Sequence, residues 1–340
     1  MTKISMIGLD LAKNVFQVHA VDAAGKPVLR KQLRRAQVLK FFGGLEPCAV
    51  GMEACGSAHY WARELGRLGH EVRLMPPAYV KPYIKRNKTD GRDAEGCCEA
   101  MQRPTMRFVA VKSEAQQAIQ VLHRTRGLLV RQRTMAANAL RAAFAEFGVV
   151  AAQGFKGLRA LIEALSAADC PLPAPAREAM LVLARQWQSL DADVRALEKR
   201  IVQAAREDAA ARRLMQVPCI GPVIASALTS AVPDARVFRS GRDFAAWLGL
   251  TPRQSGTGGK QRSGSISKQG DRHLRSLLIT GASAQLRYAR ARGGAPWLTE
   301  LLARRPYKVV AVALAAKTAR IAWALMAKGE DYRPPIPAAV

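Results

Sequence analysis

Runs of apolar residues divide the front of the chain into short elements. ISMIGL at 4 to 9 and VFQVHAV at 15 to 21 are β-type runs, and a third follows near 27 to 33 after a turn at Ala24-Gly25-Lys26. Three runs joined this closely predict an antiparallel meander. A helical stretch near 36 to 45 precedes CAVGME at 48 to 53, which reads as a buried strand. A helix from His59 to Leu68 and a strand at 70 to 75, HEVRLM, complete the region. Strand, helix, strand after a meander predicts a mixed sheet with helices packed on it, an α/β front domain.

The pattern changes near residue 113. From 113 to 147 proline is absent and glycine rare, which predicts one long helix studded with Arg124, Arg126, Arg131, Arg133 and Arg141. CPLPAPA at 170 to 176 breaks it from a second helix, in which Leu183, Trp187, Leu190, Val194, Leu197 and Ile201 alternate spacings of four and three. Such a seam serves self-association or packing against the chain's own antiparallel neighbour, and the spacing admits both. From about 206 a second, mainly helical globular unit begins. VPCIGPVIASAL at 217 to 228 sets Gly221 between two apolar helical stretches, like a helix-hairpin-helix whose amides approach a phosphate, though a glycine-broken turn between core helices has the same pattern. An apolar, Ala-rich helix from Lys308 to Met326 closes the unit. The expected division is 1–112, an α/β domain; 113–205, a helical coiled-coil connector and oligomerisation arm; and 206–330, a mainly α C-terminal domain.

Charge adds a partner to this layout. Lys and Arg number 53 against 26 Asp and Glu, a net +27, far more than solubility needs, and nucleic acid is the commonest polyanion to answer it. No run of eighteen uncharged apolar residues suggests a membrane, and Asp10 interrupts the N-terminus before a signal-peptide core can form, so a cytoplasmic chain is expected. Six cysteines without a CxxC pair read as reduced, mostly buried thiols with no zinc site. Residues 253 to 275 form a Gly/Ser-rich basic stretch, expected as a loop that contacts phosphates. It carries Arg253, Lys260, Arg262, Lys268, Arg272 and Arg275 against one acid, Asp271. With Arg124, Arg126, Arg131 and Arg133 they form the expected nucleic-acid-binding set.

Acids are scarce, so those that end apolar runs stand out. Asp10 ends ISMIGL and Glu53 ends CAVGM; side by side they would repel unless a cation lay between them. Asp90 and Asp93, three apart in NKTDGRDAEG, share a helix face that Thr89 can cap. Four carboxylates can hold two Mg²⁺ ions, an arrangement suited to attack on a phosphodiester. Asp90 as a simple helix N-terminal charge, or Lys13, Lys88 and Arg92 as salt-bridge partners, are the plainer alternatives.

These stretches resemble a family. GLDLAK around Asp10, GMEACGSAHYWA around Glu53 and NKTDGRDAEG around Asp90 and Asp93 look like the three acidic motifs of the DEDD insertion-sequence transposases of the IS110 group. VPCIGPVIASAL, FAAWLGLTPRQSGTGGK and ISKQGDRHLRSLL resemble that family's C-terminal transposase domain. The resemblance implies a RuvC-like (RNase H-like) front domain with Asp10, Glu53, Asp90 and Asp93 as metal ligands and a serine nucleophile a few residues after GLTPR. Ser255-Gly256 fits that dipeptide, and Thr257-Gly258 lies at a comparable distance; Ser255 is favoured, and both hydroxyls can instead bind phosphate or cap a turn. It further implies DNA ends and target as substrates, a structured bridge RNA as guide, and homodimers that form a tetramer. A RuvC-like endonuclease or a non-catalytic nucleic-acid binder are the rival expectations.

Overall fold

The computed structural model describes residues 3–84, 89–167, 170–292 and 295–334, which form two compact units. The first comprises Met1–Gln116 with Val232–Arg239, the second Gln117–Ala231 with Ser240–Val340.

In the first unit β1 (Met6–Asp10), β2 (Val15–Val21) and β3 (Pro27–Arg34) form the expected meander. Gly25, at φ 77°, makes the β2–β3 turn, and the Asp22 carboxylate accepts from the amides of Ala24 and Lys26. The predicted helix at 36 to 45 is shorter, a 3-10 turn Arg35–Gln37 running into α1 (Val38–Gly43). β4 (Ala49–Glu53), α2 (Ala58–Arg67) and β5 (Glu71–Met75) follow, with β4 and β5 parallel, and the sheet order is β3-β2-β1-β4-β5. A short turn of helix, α3 (Pro77–Val80), leads toward α4 (Asp90–Met101).

Strand alternation assigns the faces. Ile7, Leu9, Val50 and Met52 pack with Phe42 of α1 and with Trp61 and Leu65 of α2. The intervening residues, Met6 and Ala49 among them, face a second cluster built on Met75, Cys97, Ala100 and Met101. Asp10 stands four residues along from Met6 and Glu53 four from Ala49, so the period of two turns both acids toward the α4 side. Thr89 occupies the cap position of α4, but its side chain accepts no capping bond; its backbone carbonyl accepts from Arg92 and Asp93. Of the cysteines, Cys48, Cys97 and Cys98 are buried as expected, whereas Cys55 is exposed.

The second unit begins within α5 (Glu114–Glu146) and continues through α6 (Phe155–Ser166) and α7 (Ala174–Glu207). The heptad seam of α7 is used inside the chain: Trp187, Leu190, Val194 and Ile201 are buried, and Trp187 joins Ala136, Leu140 and Phe144 of α5 in one core. Arg126 pairs with Glu198 and Arg133 with Asp191, so numbers rise along one helix as they fall along the other, an antiparallel register. Asp191 also pairs with Arg195. The seam thus packs against the chain's own antiparallel neighbour.

Helices α8 (Ala209–Met215) and α9 (Pro222–Ala231) flank the turn that holds Gly221, and α10 (Gly241–Trp247) follows. The basic stretch expected as a loop is instead a hairpin, β6 (Pro252–Thr257) and β7 (Lys260–Ile266), succeeded by α11 (Arg272–Arg292). Gly258 and Gly259, at φ 57° and 77°, make its two-residue turn, the left-handed pair that matches strand twist. After α12 (Pro296–Arg304) comes α13 (Tyr307–Lys328), the one described helix long and apolar enough to cross a membrane. Its stripe of Val310, Leu314, Thr318, Ala322 and Leu325 is buried within the unit, as in a core helix.

One polar cluster lies inside this unit. His123 of α5 is buried, its Nε2 lies 3.1 Å from Ser226 Oγ of α9, and its ring meets that of His273 on α11 edge-on at 5.7 Å. Burial foremost, then His273 and Arg126, push the His123 imidazolium down to about 4. Burial pushes His273 down as well.

Candidate functional site

Asp10, Asp90 and Asp93 each offer a carboxylate oxygen within 4.8 Å of the others. Asp10 ends β1, and the two other acids occupy the first turn of α4, so the site is a strand end facing a helix start. What brings them together is Gly8. A Cβ there would lie 2.0 Å from the Ala94 carbonyl oxygen and 2.6 Å from the Cys98 nitrogen, so only glycine lets the α4 backbone rest on β1. Glu53 ends β4, one residue past the parallel Leu9–Met52 pair, beside Asp10. Lys88, named above as an alternative partner, lies outside the described residues.

The electrostatics follow from this crowding. Burial, first, and then the charges of Asp93, Asp90 and Glu53 push the Asp10 carboxyl up to about 6, partly offset by the Leu11 amide. The donors are carboxylate oxygens, which suit a hard divalent cation better than a thiophilic one. A cation among them would offset both the burial of the Asp10 charge and the repulsion from its acidic neighbours, so the residues present fit a divalent metal.

The second candidate region is the hairpin. Ser255 lies opposite Arg262 in the ladder and Thr257 opposite Lys260, and all four side chains are exposed, as is Arg253. Lys268 and Arg272 beyond it are exposed too, as are Arg124 and Arg131 on α5. The hairpin is anchored at its base, where the Ser267 amide donates to the Thr251 carbonyl and that of Lys268 to Gly249.

Three arginines of the expected phosphate-binding set are engaged within the fold. Arg275 is a correction: it is 8% exposed, and its Nη1 donates to the carbonyls of Leu248 at 2.9 Å and Gln269 at 2.7 Å, bracing the hairpin base. Arg126 is paired with Glu198, and Arg133 with Asp191 while it stacks over Phe155. Their side chains hold α5 to its neighbours.

Comparison with known proteins decides what kind of chain carries this arrangement. Residues 7–148 match the transposase profile of the IS110 DEDD type, and residues 211–296 match the profile described as Transposase IS116/IS110/IS902 family. A Pseudomonas aeruginosa protein named probable family 20 transposase is 54% identical over 97% of this chain and 99% of its own length. The chain belongs to the IS110 family of transposases. The transposase for insertion sequence element IS1328 of Yersinia enterocolitica is 39% identical, over 98% of this chain and 99% of its own. That for IS1111A of Coxiella burnetii is 35% identical over 98% and 92%. The chain is accordingly an enzyme of the class that binds, cleaves and rejoins DNA. Sequence reasoning located the acids but passed over Gly8, although a glycine inside an apolar strand is a signal of close backbone approach.

Proposed function

We propose that this transposase cuts and rejoins DNA with the acids of its front unit and a hydroxyl of its hairpin. The observation that carries the reading is the convergence of Asp10, Asp90 and Asp93 on one small volume, with Glu53 beside them. In this reading residues 1–112 form a RuvC-like domain whose four carboxylates hold two Mg²⁺ ions, 113–205 the helical connector, and 206–330 the strand-joining domain. Bound there, Mg²⁺ would supply Lewis-acid stabilisation of the charge that builds on phosphorus-bound oxygens. Asp10 and Asp93, on a strand and a helix locked by packing, fix the donors before DNA arrives, and Asp90 and Glu53 complete the set.

Ser255 is the nucleophile, with Thr257 as the alternative. Its Oγ bonds to phosphorus as the bond from phosphorus to the leaving deoxyribose oxygen breaks; the electron pair leaves with that oxygen, which ends with the serine's proton. One phosphodiester replaces another, so the reverse attack rejoins strands without an outside energy source. A structured RNA selects the sites by pairing, and two or four copies of the chain assemble on the DNA in the cytoplasm. The net +27 supports a nucleic-acid partner beyond the DNA ends.

The test is to trap reactions on DNA carrying the element's ends and to sequence peptides linked to DNA. A link within 254–260 that Asp10→Ala and Asp93→Ala abolish, with DNA affinity kept, is expected; full activity of Asp10→Ala sinks the metal site. Cut but unjoined DNA would leave an endonuclease, and unchanged DNA a binding protein.

A further inference from the structure

Residues directly opposite in an antiparallel ribbon share a face, and neighbours along a strand alternate. Ser255 therefore shares a face with Arg262, and Thr257 with Lys260, while Gln254 pairs with Ser263 and Gly256 with Gln261 on the other. The glycines confirm the geometry. A Cβ on Gly256 would meet Gln261 Cγ at 3.6 Å, and one on Gly264, across a register shift, would meet Arg253 Cβ at 3.9 Å. The hairpin thus has a face carrying Arg253, Ser255, Thr257, Lys260 and Arg262, and a face carrying Gln254, Gln261 and Ser263.

Both candidate hydroxyls and all three cations of the hairpin stand together, with no acid anywhere in Pro252–Ile266. An exposed ribbon has no packing reason to sort charge this way, since residues on both faces are exposed. A row of cations around a hydroxyl is matched by an anion of the same periodicity, a phosphodiester strand. Lys260 offers a point charge, whereas Arg262 offers a planar fork that can grip two oxygens of one phosphate.

The geometry points to Arg262 as a catalytic residue that holds the non-bridging oxygens of the phosphate Ser255 attacks, with Lys260 and Arg253 on neighbouring phosphates of the strand. This rests on the serine reading above. Arg262 is unchanged through the step; its charge offsets the negative charge that grows on those oxygens as the Oγ–phosphorus bond forms and the bond to the leaving oxygen breaks. Its position opposite Ser255 also separates the two hydroxyls, because Thr257 has Lys260 as its partner.

The experiment uses the full chain purified with its nucleic acid and DNA duplexes carrying the element's ends, measuring single-turnover formation of the protein–DNA link, DNA affinity at one salt concentration, and melting temperature. Arg262→Ala should slow link formation by about 100-fold, with affinity changed by less than about threefold and melting unmoved. Arg262→Lys should recover part of the rate, and Gln261→Ala should match the parent chain. The decisive variant combines Arg262→Gln with Gln261→Arg, which keeps composition and charge but moves the guanidinium to the other face; it should be as slow as Arg262→Ala. Parental rate in that double variant, or equal losses of rate and affinity in Arg262→Ala, would overturn the assignment. A link found on Thr257 would refute the Ser255–Arg262 pairing while keeping a hairpin nucleophile. DNA joined by the parent chain with no link at all would remove the serine reading and this assignment with it.

Discussion

Asp93 is 9% exposed on a helix pressed against a strand glycine, whereas every residue from Pro252 to Ser265 is exposed. The acid cluster uses core packing to hold like charges together, and the Asp10 carboxyl is raised by burial first and by its acidic neighbours second. The hairpin uses no core: its geometry rests on its own ladder, a diglycine turn and the clamp at its base. Rigid donors suit the proposed metal, whose ligands must sit at fixed distances, and an open ribbon suits the proposed nucleophile, which must meet a long polymer. The contrast predicts that damage to the first region is global and damage to the second local.

The largest effect is expected at Gly8. Gly8→Val places a Cβ only 2.0 Å from the Ala94 carbonyl oxygen, and the strain should destabilise the front unit by more than about 3 kcal/mol. Calorimetry and a cleavage assay check this; normal melting with normal cleavage would show that close approach does not set the acids.

Acid should next separate the two units by the sign of its effect. The folded His123 has its pKa near 4, below the ordinary 6.5, so the unfolded chain takes up the proton first. The second unit should lose on the order of 2 kcal/mol as pH falls from 6.5 to 4, and His123→Gln should flatten that loss. Asp10 runs the other way: with its folded pKa near 6 against 3.8, the folded chain takes up the proton first, and the metal-free first unit gains stability as pH falls from 6 to 4. At neutral pH Asp10→Asn should stabilise it by on the order of 1 kcal/mol, solvent screening included. Amide exchange of β1 and α5, followed separately in chelator, reads both signs, and parallel pH responses would break the contrast.

The smallest effect belongs to Gly258. An alanine at φ 57° costs about 1 kcal/mol locally, so Gly258→Ala should leave global melting unchanged and slow the protein–DNA link several-fold. A fall in global melting would show that the hairpin is tied into the core.

The sheet was legible because its strands carry their own period, and the acids because charge at the end of an apolar run is conspicuous. The role of α7 was open because the same heptad serves a neighbour within the chain and a partner outside it; the internal neighbour is visible only in the core that Trp187 shares with α5 and in the Arg126–Glu198 and Arg133–Asp191 pairs. The hairpin was misread as a loop because its strands lack the apolar alternation that marks a half-buried strand, having no core to face. Arg275 was misplaced for a related reason: a guanidinium that braces two carbonyls has the same sequence signature as one that meets a phosphate.

The internal pairs of α5 also bear on how tightly this chain holds a polyanion as salt changes. Binding to nucleic acid is driven by counterions set free from phosphates, and the dependence on salt steepens by about 0.9 in the logarithm for each phosphate neutralised. Arg126 and Arg133 already have carboxylates within the fold, and Arg275 has its carbonyls, so these three are expected to set free fewer counterions than open cations do. A formal charge of +27 therefore overstates the footprint, and a salt titration counts only the cations that the fold leaves turned outward.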